Sequence, residues 1–272
     1  MVIFAVPAIV LAAYLLTCFL IWKWQSRLIF MPSRKLSRTP SSLGVPGEEM
    51  RISFHSKDGR SEELDAFWLS GDGPCALLYL HGNGDNIGVN LPHAALLRSL
   101  GVSVLLFDYR GYGRSTGPFP SEARVYEDAE VGWRHLASRY SAHQIIIYGH
   151  SLGGAIAIEL ASRHPEARGL IVESSFTTAA DMARRLPPFW LFPLDLLLHH
   201  RFDSLAKIGA LRPPVLLVHG SRDWSVPARM TKQLFAAAPD PKTLVMIDGG
   251  GHLDNSIIGG DIYREAVREF IR

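Results

Sequence analysis

The sequence predicts an α/β fold: a mostly parallel sheet with helices on both faces, an antiparallel start, a small cap, and an apolar helix in front. Three observations predict it. From Cys75 onward, continuous apolar runs alternate with helical patterns, the texture of buried parallel strands joined by crossover helices. Ahead of them, two stretches of alternating polarity, 51–55 and 64–69, flank Asp58-Gly59 and read as a hairpin. Finally, Ile145-Ile146-Ile147-Tyr148-Gly149-His150-Ser151-Leu152-Gly153-Gly154 carries a β-branched strand through a Gly-x-Ser-x-Gly turn into a small-residue helix.

Taken in order, the chain opens with an apolar anchor over residues 1–24. Residues 2–22 carry no charge, and about twenty apolar residues cross a bilayer core as a helix. Tyr14, Trp22 and Trp24 have the amphipathic rings that settle at membrane interfaces. A cleaved signal peptide would need a basic start and a shorter apolar stretch, and this segment has neither. The same missing start argues against a lipoprotein site at Leu15-Leu16-Thr17-Cys18. Lys23, Arg27, Arg34, Lys35 and Arg38 follow the apolar stretch, whereas its start holds no Lys or Arg. The expected topology is therefore single-pass, with the following domain cytoplasmic. Residues 25–47, rich in Pro, Ser and Gly, read as a linker to a domain over 48–272.

Within that domain, strands are predicted at 75–80, 102–107, 145–148, 170–173, 215–219 and 243–247. Helices fit at 87–100, 122–139, 151–163, 229–238 and 258–271. The rhythm breaks at about 176–208, where an apolar stretch is interrupted by Pro187, Pro188 and Pro193. Prolines bar it from being a second spanning helix, so it is read as a cap over the carboxyl edge of the sheet. A length of 272 residues fits one large domain with an appendage. The net charge of +2 makes no case for nucleic acid. Cys18 and Cys75 fall in the anchor and in a core strand, and are read as unpaired thiols.

The tight turn at Ser151 lifts its hydroxyl clear of the sheet edge, at a helix N-terminus that favours developing negative charge. A serine hydroxyl needs a neighbouring base, and the base needs an orienting group. Asp223 lies just past the strand 215–219, and His252 lies on the loop Asp248-Gly249-Gly250-Gly251-His252 after the next strand. Both can converge on Ser151 at the carboxyl edge, where open α/β sheets place their sites. Glu173, which also ends a strand, is the competing acid. His219 is expected to bond locally and His81 to shape a turn, while Asp248 and Asp254 serve loop hydrogen bonding. After the first parallel strand, His81-Gly82-Asn83-Gly84 can bring the Asn83 N–H to an oxyanion, with the Leu152 N–H as the second donor. No metal-ligand spacing occurs. Gly111-Tyr112-Gly113 lacks the third glycine of a dinucleotide fingerprint, so no cofactor is expected.

These motifs resemble the α/β-hydrolases, and closely the membrane-anchored group related to the fungal bud-emergence hydrolases. The resemblance rests on the apolar start, His81-Gly82-Asn83, Asp108-Tyr109-Arg110-Gly111-Tyr112-Gly113, Gly149-His150-Ser151-Leu152-Gly153, His219-Gly220 with Asp223, and Gly251-His252. It implies a serine hydrolase with Ser151, Asp223 and His252 as its triad. Gly84-Asp85 departs from the small residue that often follows the Asn in that group, which bears on the entrance rather than on the donors. The family hosts esterases, thioesterases, lipases and peptidases, so substrate does not follow from fold. Phe189, Trp190 and Phe192 in the cap offer an apolar wall, which suits an acyl chain better than a charged peptide. The expected substrate is a small to medium acyl ester or thioester, lipid-derived ones included, with the membrane as partner. A peptidase would need Asp181, Asp195 or Asp203 to hold an amino group, and an inactive interaction protein is the third alternative.

Overall fold

Eight strands form one sheet in the computed structural model, which describes residues 2–84 and 86–272. The hairpin is β1 (Glu48–His55) and β2 (Ser61–Leu69). It is followed by β3 (Ala76–Leu80), β4 (Ser103–Phe107), β5 (Ile145–His150), β6 (Gly169–Glu173), β7 (Val215–Gly220) and β8 (Lys242–Ile247). Their spatial order is β1-β2-β4-β3-β5-β6-β7-β8, and only β2 runs against the rest. β3 to β7 are buried along their whole length, which is why they read as continuous apolar runs rather than alternating ones.

The helices are α1 (Val2–Ile29), α2 (Ile87–Ser99), α3 (Glu122–Ala137), α4 (Leu152–Arg163), α5 (Ala179–Ala183), α6 (Leu194–Leu197), α7 (Ser204–Ile208), α8 (Ala228–Ala237), α9 (Asn255–Ile258) and α10 (Gly260–Ile271). Successive strand residues feed opposite faces. Leu77 and Tyr79 pack with Leu91, Leu97, Tyr263 and Val267 from α2 and α10. Leu78 and Leu80 pack instead with Val125, Ile156, Ile208 and Leu234 from α3, α4, α7 and α8. The helix predicted over 258–271 is α10, which starts two residues later at Gly260, where φ is +47°; the short α9 lies just ahead of it.

The segment 25–47 is not a free tether. α1 continues to Ile29, past the boundary expected at 24, and Phe30 is fully buried in the core against Phe202 and His200. Gly113 N donates to Ser33 O, Asn86 Nδ2 to Lys35 O and Arg34 to Ser115 O, so residues 30–35 follow the domain surface. Its Pro and Ser content reads as a linker in sequence because these partners lie more than fifty residues away. The cap is built from α5, α6, α7 and a short 3₁₀ turn at Phe189–Leu191. It packs directly on α1, with Ile21 against Ala180, Leu194 and Leu198.

Candidate active site

The central strands β3 and β5 end side by side, and the loops that leave them build the site. After β5 the chain turns at Ser151, whose backbone is held at φ 54° and ψ −118°. That conformation is costly for a side-chain-bearing residue and persists only where the surroundings enforce it. Here the enforcement is steric. A Cβ at Gly149 would meet Gly153 O at 2.2 Å, and one at Gly153 would meet Leu80 O at 2.0 Å, so only glycines let strand, turn and helix approach this closely. Ser151 N donates to Glu173 O, and Ser175 Oγ donates to Ser151 O, which ties the turn to β6 and the segment after it.

Asp223 and His252 come to this turn from the loops after β7 and β8. His252 Nε2 lies 3.1 Å from Ser151 Oγ, and His252 Nδ1 lies 2.8 Å from Asp223 Oδ2. The other carboxylate oxygen, Oδ1, accepts from the amides of Ser225 and Val226, which fixes the plane of the group. Burial by itself raises the pKa of this carboxyl, but His219, His252 and the Val226 amide together hold it well below the usual carboxylate range. A carboxylate that stays ionised keeps the proton on His252 Nδ1 and leaves Nε2 to accept from the serine. Gly251 N donates to Asp254 Oδ1 and so braces the histidine loop.

His150 Nε2 donates to His252 O at 2.8 Å. Burial, with His252 beside it, pushes the His150 pKa down to about 4, so at neutral pH it supports the loop without adding charge.

The first N–H groups of a helix have no partner within it, and Leu152 opens α4 beside the serine. The loop after β3 lies against the same turn: a Cβ at Gly82 would stand 3.2 Å from Ser151 Cβ. Asn83 follows, and its side chain is fully engaged. Nδ2 donates to Ile29 O, while Oδ1 accepts from Met31 N, Tyr112 OH and Gly84 N, the last three each at 2.9 Å. The end of α1 is thus bonded directly to the loop beside the serine. Asp85 lies outside the described residues. His81 shapes its turn, with Nδ1 2.8 Å from Gly82 O.

Glu173 does not join the site. Its buried carboxylate accepts from Tyr148 OH and Tyr263 OH at 2.8 Å and from Asn255 Nδ2 at 3.1 Å, away from His252. His219 bonds to Thr231 Oγ1 and Val226 O as expected, and its Nε2 also lies 3.3 Å from Asp223 Oδ2, so it backs the acid of the site. From the cap, Arg185 donates to the carbonyls of Trp224 and Ser225 and so ties the cap to the Asp223 loop. A hydroxyl, an imidazole and a carboxylate in this sequence can take a proton from the hydroxyl, hold it, and return it to a leaving group. Sequence reasoning missed the Asn83 side-chain contacts, His150 and Arg185. His150 stands inside the Gly-x-Ser motif, and nothing in the sequence marks it as a support for His252.

Residues 74–205 match the family described as serine aminopeptidase, S33, a stretch that contains Ser151 and stops before Asp223 and His252. The chain is 30% identical over 274 residues to the α/β-hydrolase domain-containing protein WAV2 of Arabidopsis thaliana, covering 91% of this chain and 87% of that protein. It is 32% identical over 251 residues to protein bem46 of Schizosaccharomyces pombe, covering 85% and 81% respectively. Among solved structures, an esterase from Pyrococcus furiosus superposes with a TM-score of 0.72 at 21% identity, over 89% of this chain and 98% of the esterase, which speaks to the fold. With its sheet order, its serine turn and these relatives taken together, the chain belongs to the α/β-hydrolase family.

Proposed function

We propose that this protein is a membrane-anchored serine hydrolase that cleaves carboxylic ester or thioester bonds through an acyl-enzyme. The observation that carries the reading is the continuous contact from Ser151 Oγ to His252 and on to Asp223, at a strained serine turn. In this mechanism His252 Nε2 takes the Ser151 proton as Oγ attacks the acyl carbonyl, and Asp223 stabilises the imidazolium. The N–H groups of Leu152 and Asn83 hold the oxyanion. His252 then protonates the departing alkoxide or thiolate, and water repeats the sequence to release the acid.

Two observations favour an acyl substrate over a peptide. The cap is apolar, with Leu186, Trp190, Leu191 and Leu196 exposed and Phe189 and Phe192 packed on the cluster it forms with Ile21 of α1, and its acids are already engaged. Asp181 and Asp195 pair with Arg184, and Asp203 caps α7 through Ala206 N, so none of the three is free to hold an amino group. The basic residues that follow the uncharged stretch 2–22 favour a cytoplasmic domain, and protease protection in sealed vesicles tests that orientation. The substrate class is tested on the full chain with p-nitrophenyl esters of graded length beside aminoacyl amides. Esters are expected to turn over faster, and amides cleaved faster than every ester overturn the assignment.

A further inference from the structure

The contact between α1 and the cap constrains where the cap can be. Tyr14 OH donates to Leu191 O at 3.2 Å, and the Tyr14 ring stacks on Phe192 with centroids 5.3 Å apart. Two turns further on, Ile21 packs on Leu194 and Leu198. Gln25 Nε2 then donates to Leu197 O, and its Oε1 accepts from the amides of His199 and His200. The cap therefore lines α1 from Tyr14 to Gln25. If α1 left the bilayer before meeting the cap, only residues 2–13 would remain to cross it, about 18 Å of helix. A hydrocarbon core is about 30 Å thick. With Lys23 at the bilayer surface, Tyr14 lies about 13 Å deeper, and Leu191 and Phe192 go with it.

The cap's outward side chains fit that position. Leu186, Trp190, Leu191 and Leu196 are between 53% and 85% exposed, a density of large apolar groups unusual for a water-facing surface. The arginines among them are paired, Arg184 with Asp181 and Asp195, and Arg185 with backbone carbonyls. The same character reaches the site itself: Trp224, next to Asp223, is 88% exposed, and Leu253, next to His252, is 79% exposed.

We propose that the cap is a membrane-seated face, sunk in the lipid bilayer beside α1, so that Ser151 takes an acyl-chain lipid ester laterally from the leaflet rather than from water. The seating rests on α1 spanning the membrane, and the lipid substrate rests on the hydrolase reading above. The test uses the full chain in phosphatidylcholine vesicles, with an NBD fluorophore on Leu191→Cys, the exposed cap residue level with Tyr14, or, as reference, on Asp58→Cys in the β1–β2 hairpin. Both are made in a Cys18→Ala background, because Cys75 is buried. An apolar face sinks roughly 5–10 Å or more below the headgroups, so doxyl-labelled lipid should quench the residue 191 reporter about twofold or more. The residue 58 reporter should be untouched. Water-like, unquenched emission at both positions overturns the proposal, as does a chain that fails to float with the vesicles. The readout needs no turnover. Intact fluorophosphonate labelling with both reporters in water therefore refutes the seating alone, and a quenched residue 191 with no labelling refutes the hydrolase reading alone.

Discussion

The side chain of Asn83 joins the end of α1 to the loop that faces Ser151, and Asn83→Ala should uncouple the two. The substitution removes four hydrogen bonds, one to Ile29 O and three from Met31 N, Tyr112 OH and Gly84 N. At about 0.5–1.5 kcal/mol net per bond, the loop loses at most about 2 to 6 kcal/mol of restraint. In the proposed mechanism the donor at stake is the Asn83 N–H, and misplacing one oxyanion donor costs on the order of 10²–10³ in kcat. A hundredfold fall corresponds to about 2.7 kcal/mol, within what the lost bonds supply. The assay is ester turnover by the full chain, with kcat and KM measured separately for wild type, Asn83→Ala and Asn83→Asp. We expect kcat to fall about 10²-fold in the alanine variant with KM little changed, since the oxyanion exists only in the transition state. Asn83→Asp keeps the acceptors and loses the donor to Ile29, so it should fall between. A folded Asn83→Ala protein with unchanged kcat, or one whose loss lies wholly in KM, refutes the reasoning.

Other substitutions test other links. Asp223→Asn should lower kcat by about 10⁴ while Glu173→Gln leaves it within a few-fold, which a single ester assay on both variants decides. Arg110 is 1% exposed and holds Asp128, Glu62 and Glu127 at 2.6 to 2.9 Å; Arg110→Met should cost about 3–5 kcal/mol in denaturant unfolding, because it leaves three carboxylates without their counter-ion. His150, with its folded pKa lowered to about 4, is less readily protonated folded than unfolded, so stability present above pH 6.5 should be lost as pH falls toward 4. The loss should reach about 3 kcal/mol, and unfolding midpoints at pH 4.5 and 7 should differ less in His150→Gln than in wild type.

The sheet was legible because buried parallel strands are apolar without interruption, and β3 to β8 begin and end within two residues of the predicted limits. The loops bearing Ser151, Asp223 and His252 were legible for a related reason, since each follows such a strand and the fold brings strand ends together. What escaped is set by side-chain direction and long-range contact. Glu173 and Asp223 both follow strands, and only the packing of Tyr148, Tyr263 and Asn255 around Glu173 separates them. Arg110 sits in a motif whose purpose no local spacing reveals, because one of its partners, Glu62, is 48 residues away. Phe30 looks like the edge of a linker until Phe202 and His200 close over it.

The central claim is that Ser151 is the activated nucleophile, and covalent labelling of the whole chain by a fluorophosphonate tests it most directly. The reagent reacts only with a serine whose neighbours take its proton and hold the resulting oxyanion. The wild-type chain should label at Ser151, as read by mass spectrometry of the modified peptide, and Ser151→Ala should abolish labelling while retaining the fold. Labelling that persists unchanged in a folded Ser151→Ala protein, or a wild-type chain that never labels, contradicts the account.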